Sequence, residues 1–163
     1  MQELKVRRRK RLRRKEVLSL KKELEAMLGC TVFSEDQPVE TGEVGDMKLI
    51  IVAGRIMGFY WDDRPFLSLR GVLEYGPEKR YVVVDSGAVP YVYNGADIMA
   101  PGVVAADESI AVGEPVWIKE ERYGKALAVG IALMSGPEMV AATSGKAAKS
   151  VMYVGDRIWL IDE

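Results

Sequence analysis

Asp85-Ser86-Gly87-Ala88-Val89-Pro90-Tyr91-Val92-Tyr93-Asn94-Gly95-Ala96-Asp97-Ile98-Met99-Ala100-Pro101-Gly102-Val103 is the stretch on which the fold turns. Two Gly-Ala pairs bracket its first half, and a Pro-Gly turn follows. Ser86-Gly87-Ala88 reads as the start of a short helix with Pro90 in its first turn, where a missing N–H leaves no hydrogen bond unmade. Gly95 reads as the stop of that helix. Ile98-Met99 is a stub of strand broken by Pro101-Gly102. Gly87 and Gly95 remove side chains at both helix ends. The Gly95-Ala96 and Pro101-Gly102-Val103 backbones are then approachable by a ligand, including a phosphate or a base edge. On a second reading these glycines serve tight turns and nothing more.

Working outward, residues 81–84 read as a buried strand, and 114–119 and 125–134 as two longer strands turned around Tyr123-Gly124. Residues 135–142 fit a second short helix, with Glu138 three residues after Ser135 in capping-box spacing. Residues 151–154 and 158–161 close the chain as strands around Gly155-Asp156. Short strands with two small helices suggest a compact β-barrel-like module. Gly76-Pro77-Glu78 punctuates the chain before it, dividing it into domains 1–78 and 79–163. In the first, residues 4–28 read as one helix, since Val17, Leu20, Leu24, Met27 and Leu28 make an apolar stripe ending before Gly29. Residues 30–34 read as a short strand and 38–46 as a glycine-bearing loop. Residues 48–53 and 56–61 read as a hairpin turned at Gly54-Arg55 in a type II′ geometry. Phe66 to Leu73 fits a short helix or turn.

The 163 residues carry a net charge of −1, which hides a division. Residues 1–22 hold 11 Lys and Arg against Glu3 and Glu16, a net of +9; residues 23–163 hold 12 against 22 acids, a net of −10. A basic arm on an acidic body points to a polyanion partner. Arg7, Arg8, Arg9, Lys10, Arg11, Arg13, Arg14 and Lys15 form the arm, and Lys146 and Lys149 lie in a small Ala- and Ser-rich segment expected to be a loop. Placed at the front of a helix, the arm's charge opposes the helix dipole, so a purely structural role explains it poorly.

Absences narrow the chemistry. Histidine is missing, which excludes imidazole catalysis and His-ligated metals, and the lone Cys30 excludes an internal disulfide or Cys-rich zinc site. A reducing, cytoplasmic setting is expected, with no secretory signal and no membrane span. Gly145-Lys146 fails as a phosphate loop because Val140 stands where a glycine is required and Ala147 replaces the Ser or Thr that would hold magnesium. Asp62-Asp63 and Glu120-Glu121 read as exposed turns rather than acid–base pairs. No catalytic residue, metal or cofactor is expected, and the chain reads as a non-enzyme.

The glycine-rich stretch resembles the PUA domain, named for pseudouridine synthases and archaeosine transglycosylases. The family pattern is matched at Gly87-Ala88, at Gly95-Ala96-Asp97-Ile98-Met99 and at Pro101-Gly102-Val103. It continues in the strand over 126–134 with Val129-Gly130 inside, and in the closing Asp156-Arg157-Ile158-Trp159-Leu160. The resemblance covers residues 80–161. It implies an α+β chain, a small α/β N-terminal domain followed by a PUA β-pseudobarrel with two short helices. It also implies an RNA face made by the first helix, its following loop and the last strand. Carried over, that face comprises Gly87, Ala88, Tyr91, Gly95, Ala96, Pro101, Gly102, Val103, Arg157 and Trp159. Upstream, Asp63-Arg64-Pro65-Phe66-Leu67-Ser68-Leu69-Arg70 with Leu73-Glu74-Tyr75 resembles the segment before the PUA domain in the malignant-T-cell-amplified translation protein family, in its archaeal-type stand-alone form.

These resemblances imply a non-catalytic RNA-binding protein of the translation apparatus, docking on tRNA or small-subunit ribosomal RNA, with the small subunit or a translation factor as further partners. Two other readings stand beside it. One is a protein-interaction adaptor whose acidic body meets a basic surface. The other is a trans-acting accessory RNA-binding subunit of an RNA-modification enzyme.

Overall fold

The computed structural model describes residues 5–162. They divide into two units, one comprising residues up to Pro77 together with those from Arg157 onward, the other Glu78–Asp156.

The first unit begins with strand β1 (Arg7–Arg11) and helix α1 (Arg14–Leu28), followed by β2 (Val39–Val44), β3 (Met47–Val52), β4 (Arg55–Trp61), β5 (Arg64–Leu67) and helix α2 (Leu69–Tyr75). The five strands form an antiparallel sheet in sequence order. Helix α1 buries Val17, Leu20, Leu24 and Leu28 and ends at Gly29, whose φ of 66° is the left-handed cap expected of it. Burial of each of these side chains contributes about 1.5–3 kcal/mol.

The single helix expected over 4–28 is therefore two elements. Successive arginines in a helix would repel at three- and four-residue spacing and oppose the dipole. As an edge strand they lie beside the acidic β2, with Arg7 opposite Glu43 and Arg11 opposite Glu40. Arg8 pairs with Glu43 at 3.4 Å, and Arg9 pairs with Glu40. The arm thus charges a sheet edge, which guards against edge-to-edge association.

Three further expectations are corrected in this unit. Residues 38–46 hold strand β2 rather than a loop; Gly42 is needed because a Cβ there would collide with the Val6 side chain. Residues 30–34 form no strand, since the Glu25 carboxylate accepts the Val32 N–H at 3.0 Å and Lys21 donates to both Glu25 and the Phe33 carbonyl. The β3–β4 hairpin turns at Ala53-Gly54, with φ of 48° and 84°. Both values are positive, as a type I′ turn requires, so the type II′ reading was wrong.

The second unit contains β6 (Tyr81–Val84), α3 (Val89–Tyr93), β7 (Ile98–Met99), a 3-10 turn (Ala100–Gly102), β8 (Val103–Ala106), β9 (Pro115–Glu120), β10 (Ala126–Ala132), α4 (Gly136–Ala141) and β11 (Lys146–Tyr153). Its six strands run in the order β7-β11-β10-β9-β6-β8, with β6 parallel to β9 and the other pairs antiparallel. The two edge strands are consecutive in sequence. Laid flat, the outermost of six strands stand about 24 Å apart. The four Cα steps from Met99 to Val103 reach about 15 Å at most. The sheet must curl until its edges nearly meet, giving the expected pseudobarrel. Val82, Val84, Ile98, Val116, Ile118, Leu127 and Met139 fill its core. Lys146 and Lys149, expected in a loop, stand on β11, which is longer than the strand read at 151–154.

The last element, α5 (Arg157–Ile161), is a helix and not the closing strand expected at 158–161. Strand β11 is stopped where the Asp156 carboxylate accepts the Tyr153 N–H at 2.9 Å and Gly155 turns at a φ of 89°. Helix α5 belongs to the first unit rather than to the barrel. Just beyond it, the buried Asp162 carboxylate accepts the Ile56 N–H at 2.9 Å and pairs with Arg70 at 3.2 Å. The Arg70 guanidinium lies 4.0 Å from the Trp159 ring centroid.

Asp162→Ala strands the Ile56 N–H and the Arg70 guanidinium together. It is expected to cost about 2–3 kcal/mol in urea unfolding of the full chain. An unchanged midpoint would show that the chain end does not hold the first unit.

Candidate nucleic-acid interface

The Asp85 carboxylate accepts the Ala88 N–H at 2.9 Å and tightens the turn that launches α3, whose Pro90 sits in the first turn. At the far end, the Asn94 side chain donates to the Pro90 carbonyl at 2.7 Å and the Ala96 N–H to the Tyr91 carbonyl at 3.0 Å. Gly95 follows with a φ of 95°, and a Cβ there would stand 2.7 Å from the Tyr153 ring. Only glycine meets both demands. The 3-10 turn is tied to this element by the Asp85 N–H, which donates to the Gly102 carbonyl at 2.9 Å, and to β11 by the Ala100 N–H on the Gly145 carbonyl at 2.9 Å.

Between α3 and the turn lies a cleft of about 620 Å³, lined by Asp85, Gly87, Ala88, Tyr91, Val92, Ala96, Asp97, Ile98, Met99, Pro101, Gly102 and Lys146. Its volume is that of a small-ligand site. Its walls are mostly small or apolar, so the cleft admits a flat, partly apolar group. Tyr91 is 70% exposed and Met99 47% exposed, an aromatic and a thioether left in water at the rim. An exposed ring of this kind is a surface on which a base can stack.

Charge enters at one side. Asp97 accepts the Ser150 N–H at 2.9 Å and the Lys146 ammonium at 3.0 Å. The Ser150 N–H, then Lys146, hold the Asp97 carboxyl below the usual carboxylate range, against the opposing effect of burial. The Asp97 carboxylate thereby offsets part of the field of Lys146, while Lys149 is exposed on the same strand.

Of the residues nominated from sequence, Gly87, Ala88, Tyr91, Ala96, Pro101, Gly102 and Lys146 come together in this cleft. Gly95 does not line it and instead packs against Tyr153; Val103 is a buried residue of β8. Arg157 and Trp159 stand on α5, which belongs to the first unit and is not a barrel strand. Arg7 to Arg11 are on β1, with Arg13, Arg14 and Lys15 at the start of α1. Asp85, Asp97 and Met99 were missed, although all three fall inside the deciding stretch. Met99 was read only as part of a strand stub, and its exposure goes with the two-residue length of β7.

Among the described residues no group of His, Cys, Asp and Glu could hold a metal ion, and no helix is long and apolar enough to cross a membrane.

Residues 80–154 match the PUA domain model. An uncharacterized protein of Methanocaldococcus jannaschii is 40% identical over 158 residues, 96% of this chain and 98% of the relative. Translation machinery-associated protein 20 of Saccharomyces cerevisiae and malignant T-cell-amplified sequence 1 of Rattus norvegicus are each 29% identical over 69% of this chain. The matched region spans 66% and 64% of their respective lengths. Among solved structures, a hypothetical protein from Pyrococcus horikoshii superposes with a TM-score of 0.79 at 34% identity, covering 95% of this chain and 99% of that one.

Because the Asp97 value is depressed on folding, its contribution is present above about pH 3.9, the unfolded value, and is lost as pH falls through the lower folded one. Asp97→Asn is therefore expected to cost about 1 kcal/mol in urea unfolding at neutral pH. The gap between variant and parent should close in stronger acid. A gap that persists there would remove the ionic bond as its cause.

Proposed function

The chain belongs to the PUA-domain proteins, and on that premise we propose that it is a non-catalytic, cytoplasmic RNA-binding protein of the translation apparatus, docking on tRNA or small-subunit ribosomal RNA. PUA domains bind RNA, and relatives matched over most of this chain are named for the translation machinery. The observation that carries the reading is the cleft between α3 and the 3-10 turn. There the side-chain-free Gly87 and Gly102 bring backbone within reach of a ligand beside the exposed Tyr91 ring. Recognition of this kind reads shape, stacking and backbone rather than a long sequence.

The basic arm supplies long-range attraction to phosphate. Arg8, Arg9 and Arg14 are partly neutralised by Glu43, Glu40 and Glu35. Arg7, Lys10 and Arg11 have no salt-bridge partner among the described residues, and their side chains are exposed. They are the residues of the strand left to meet a polyanion. Removing the arm outright would delete an edge strand of the first sheet, so charge neutralisation is the cleaner test.

Fluorescence titration with unfractionated tRNA and with small ribosomal subunits, from about 50 to 300 mM salt, separates the contributions. Tyr91→Ala is expected to weaken tRNA binding about tenfold at every salt concentration. Replacing Arg7, Lys10 and Arg11 by Gln is expected to lower the salt slope by about two to three. If neither change alters tRNA binding, the assignment of the site is wrong. The net charge of −10 over residues 23–163 favours the adaptor as second reading. Binding to small subunits without binding to free RNA would select it.

A further inference from the structure

We propose that the tip of the β9–β10 hairpin, Arg122-Tyr123-Gly124-Lys125, is a second RNA contact, on which a base of the strand leaving the cleft stacks. The inference rests on the RNA-binding reading of the cleft and extends it beyond the helix and turn that form it.

Three observations meet at the tip. The first is its position. Strand β6 runs parallel to β9, so the end of β6, which opens into the 85–88 loop of the cleft, lies beside the end of β9, which opens into the hairpin tip. The Glu121 N–H donates to the Val84 carbonyl at 3.0 Å, and the Glu121 carboxylate accepts the Ser86 N–H at 3.3 Å. The tip and the cleft-forming loop are hydrogen-bonded neighbours.

The second is its chemistry. Tyr123 is 84% exposed, the most exposed large apolar side chain among the described residues. Arg122 and Lys125 flank it, and neither has a salt-bridge partner among the described residues. An aromatic ring between two uncommitted cations suits a single-stranded nucleic acid, which offers a base to the ring and phosphates to the charges.

The third is rigidity. The Glu120 carboxylate accepts the backbone N–H groups of Arg122 at 2.8 Å, Tyr123 at 2.5 Å and Lys125 at 3.1 Å. Three donors on one carboxylate fix the turn before any ligand arrives, and a preformed turn loses little entropy on binding. Gly124, at a φ of 70°, completes it. The clamp explains how an exposed tyrosine can be presented in one place without a core beneath it.

The test compares fluorescein-labelled single-stranded RNAs of about four and about 12 nucleotides, the shorter able to fill one site and the longer able to reach two. The parent protein is expected to bind the longer RNA more tightly. Tyr123→Ala should weaken the longer RNA about tenfold and leave the shorter unchanged, while Tyr123→Phe keeps the affinity of the parent. Replacing Arg122 and Lys125 by Ala should lower the salt slope on the longer RNA by about 1.4. If Tyr91→Ala weakens both RNAs and the tip variants match the parent on both, the tip contact is overturned and the cleft stands. An equal loss on both lengths from Tyr123→Ala also overturns it. If the parent binds neither RNA, the tip contact is overturned, and the tRNA titration alone decides the cleft.

Discussion

The short link from Met99 to Val103 is the constraint on which the second unit depends. Strands at opposite edges of a six-stranded sheet are joined by a three-residue turn, and no flat or gently twisted sheet can satisfy it. Curling brings the turn against the start of α3, where a Cβ on Gly102 would stand 3.2 Å from that of Ala88. The same curvature leaves β7 only two residues long, so Met99 is both the last residue of a strand and part of a rim. Barrel closure and the cleft are consequences of one length restriction. The glycines that make the approach possible also leave the backbone open to a ligand, so fold and site cannot be separated at these positions.

Charge is organised on a different principle. Five successive basic residues at a sheet edge would repel one another along the strand and disfavour pairing with an apolar neighbour. Glu40 and Glu43 on β2 remove part of that repulsion and hold the strand in register. Arg7, Lys10 and Arg11 remain in excess. The same run of residues is therefore divided between those that meet carboxylates and those that leave their charge on the exposed edge. The ladder is irregular between Arg7 and Lys10, and within that irregularity the adjacent Arg8 and Arg9 both reach carboxylates.

Legibility in the sequence followed the range of the interactions. The 85–103 stretch could be read because its glycines and prolines act locally: Pro90 within a first helical turn, Gly95 at a positive φ, Pro101-Gly102 in a turn. Six of the residues nominated from that stretch meet in the cleft for that reason. The first unit was read less well. Strand β2 has no signature of its own; its Gly42 looks like a loop residue until Val6 is seen beside it. The arm was continuous in sequence with the apolar stripe of α1, and only its pairing with β2 shows that helix begins at Arg14. Glu120 and Glu121 were read as an exposed turn. Glu120 is instead a nearly buried acceptor for three backbone donors, a role that appears only when the hairpin is closed.

The misreading of the chain end has the most to teach. Ile158-Trp159-Leu160-Ile161 is apolar and aromatic, equally at home in a short strand or a short helix, and periodicity cannot choose over so few residues. The choice is made by polar groups. Asp156 stops β11 by accepting the Tyr153 N–H, and Asp162 secures the segment to the first unit through Ile56 and Arg70. Trp159 then lies against the Arg70 guanidinium on a helix, not on the last strand that the resemblance implied. The Asp63–Arg70 segment that marked the likeness to the translation family thus contains the partner of Trp159. Arg70 was legible as part of a family pattern, and its physical purpose is to hold the returning end of the chain.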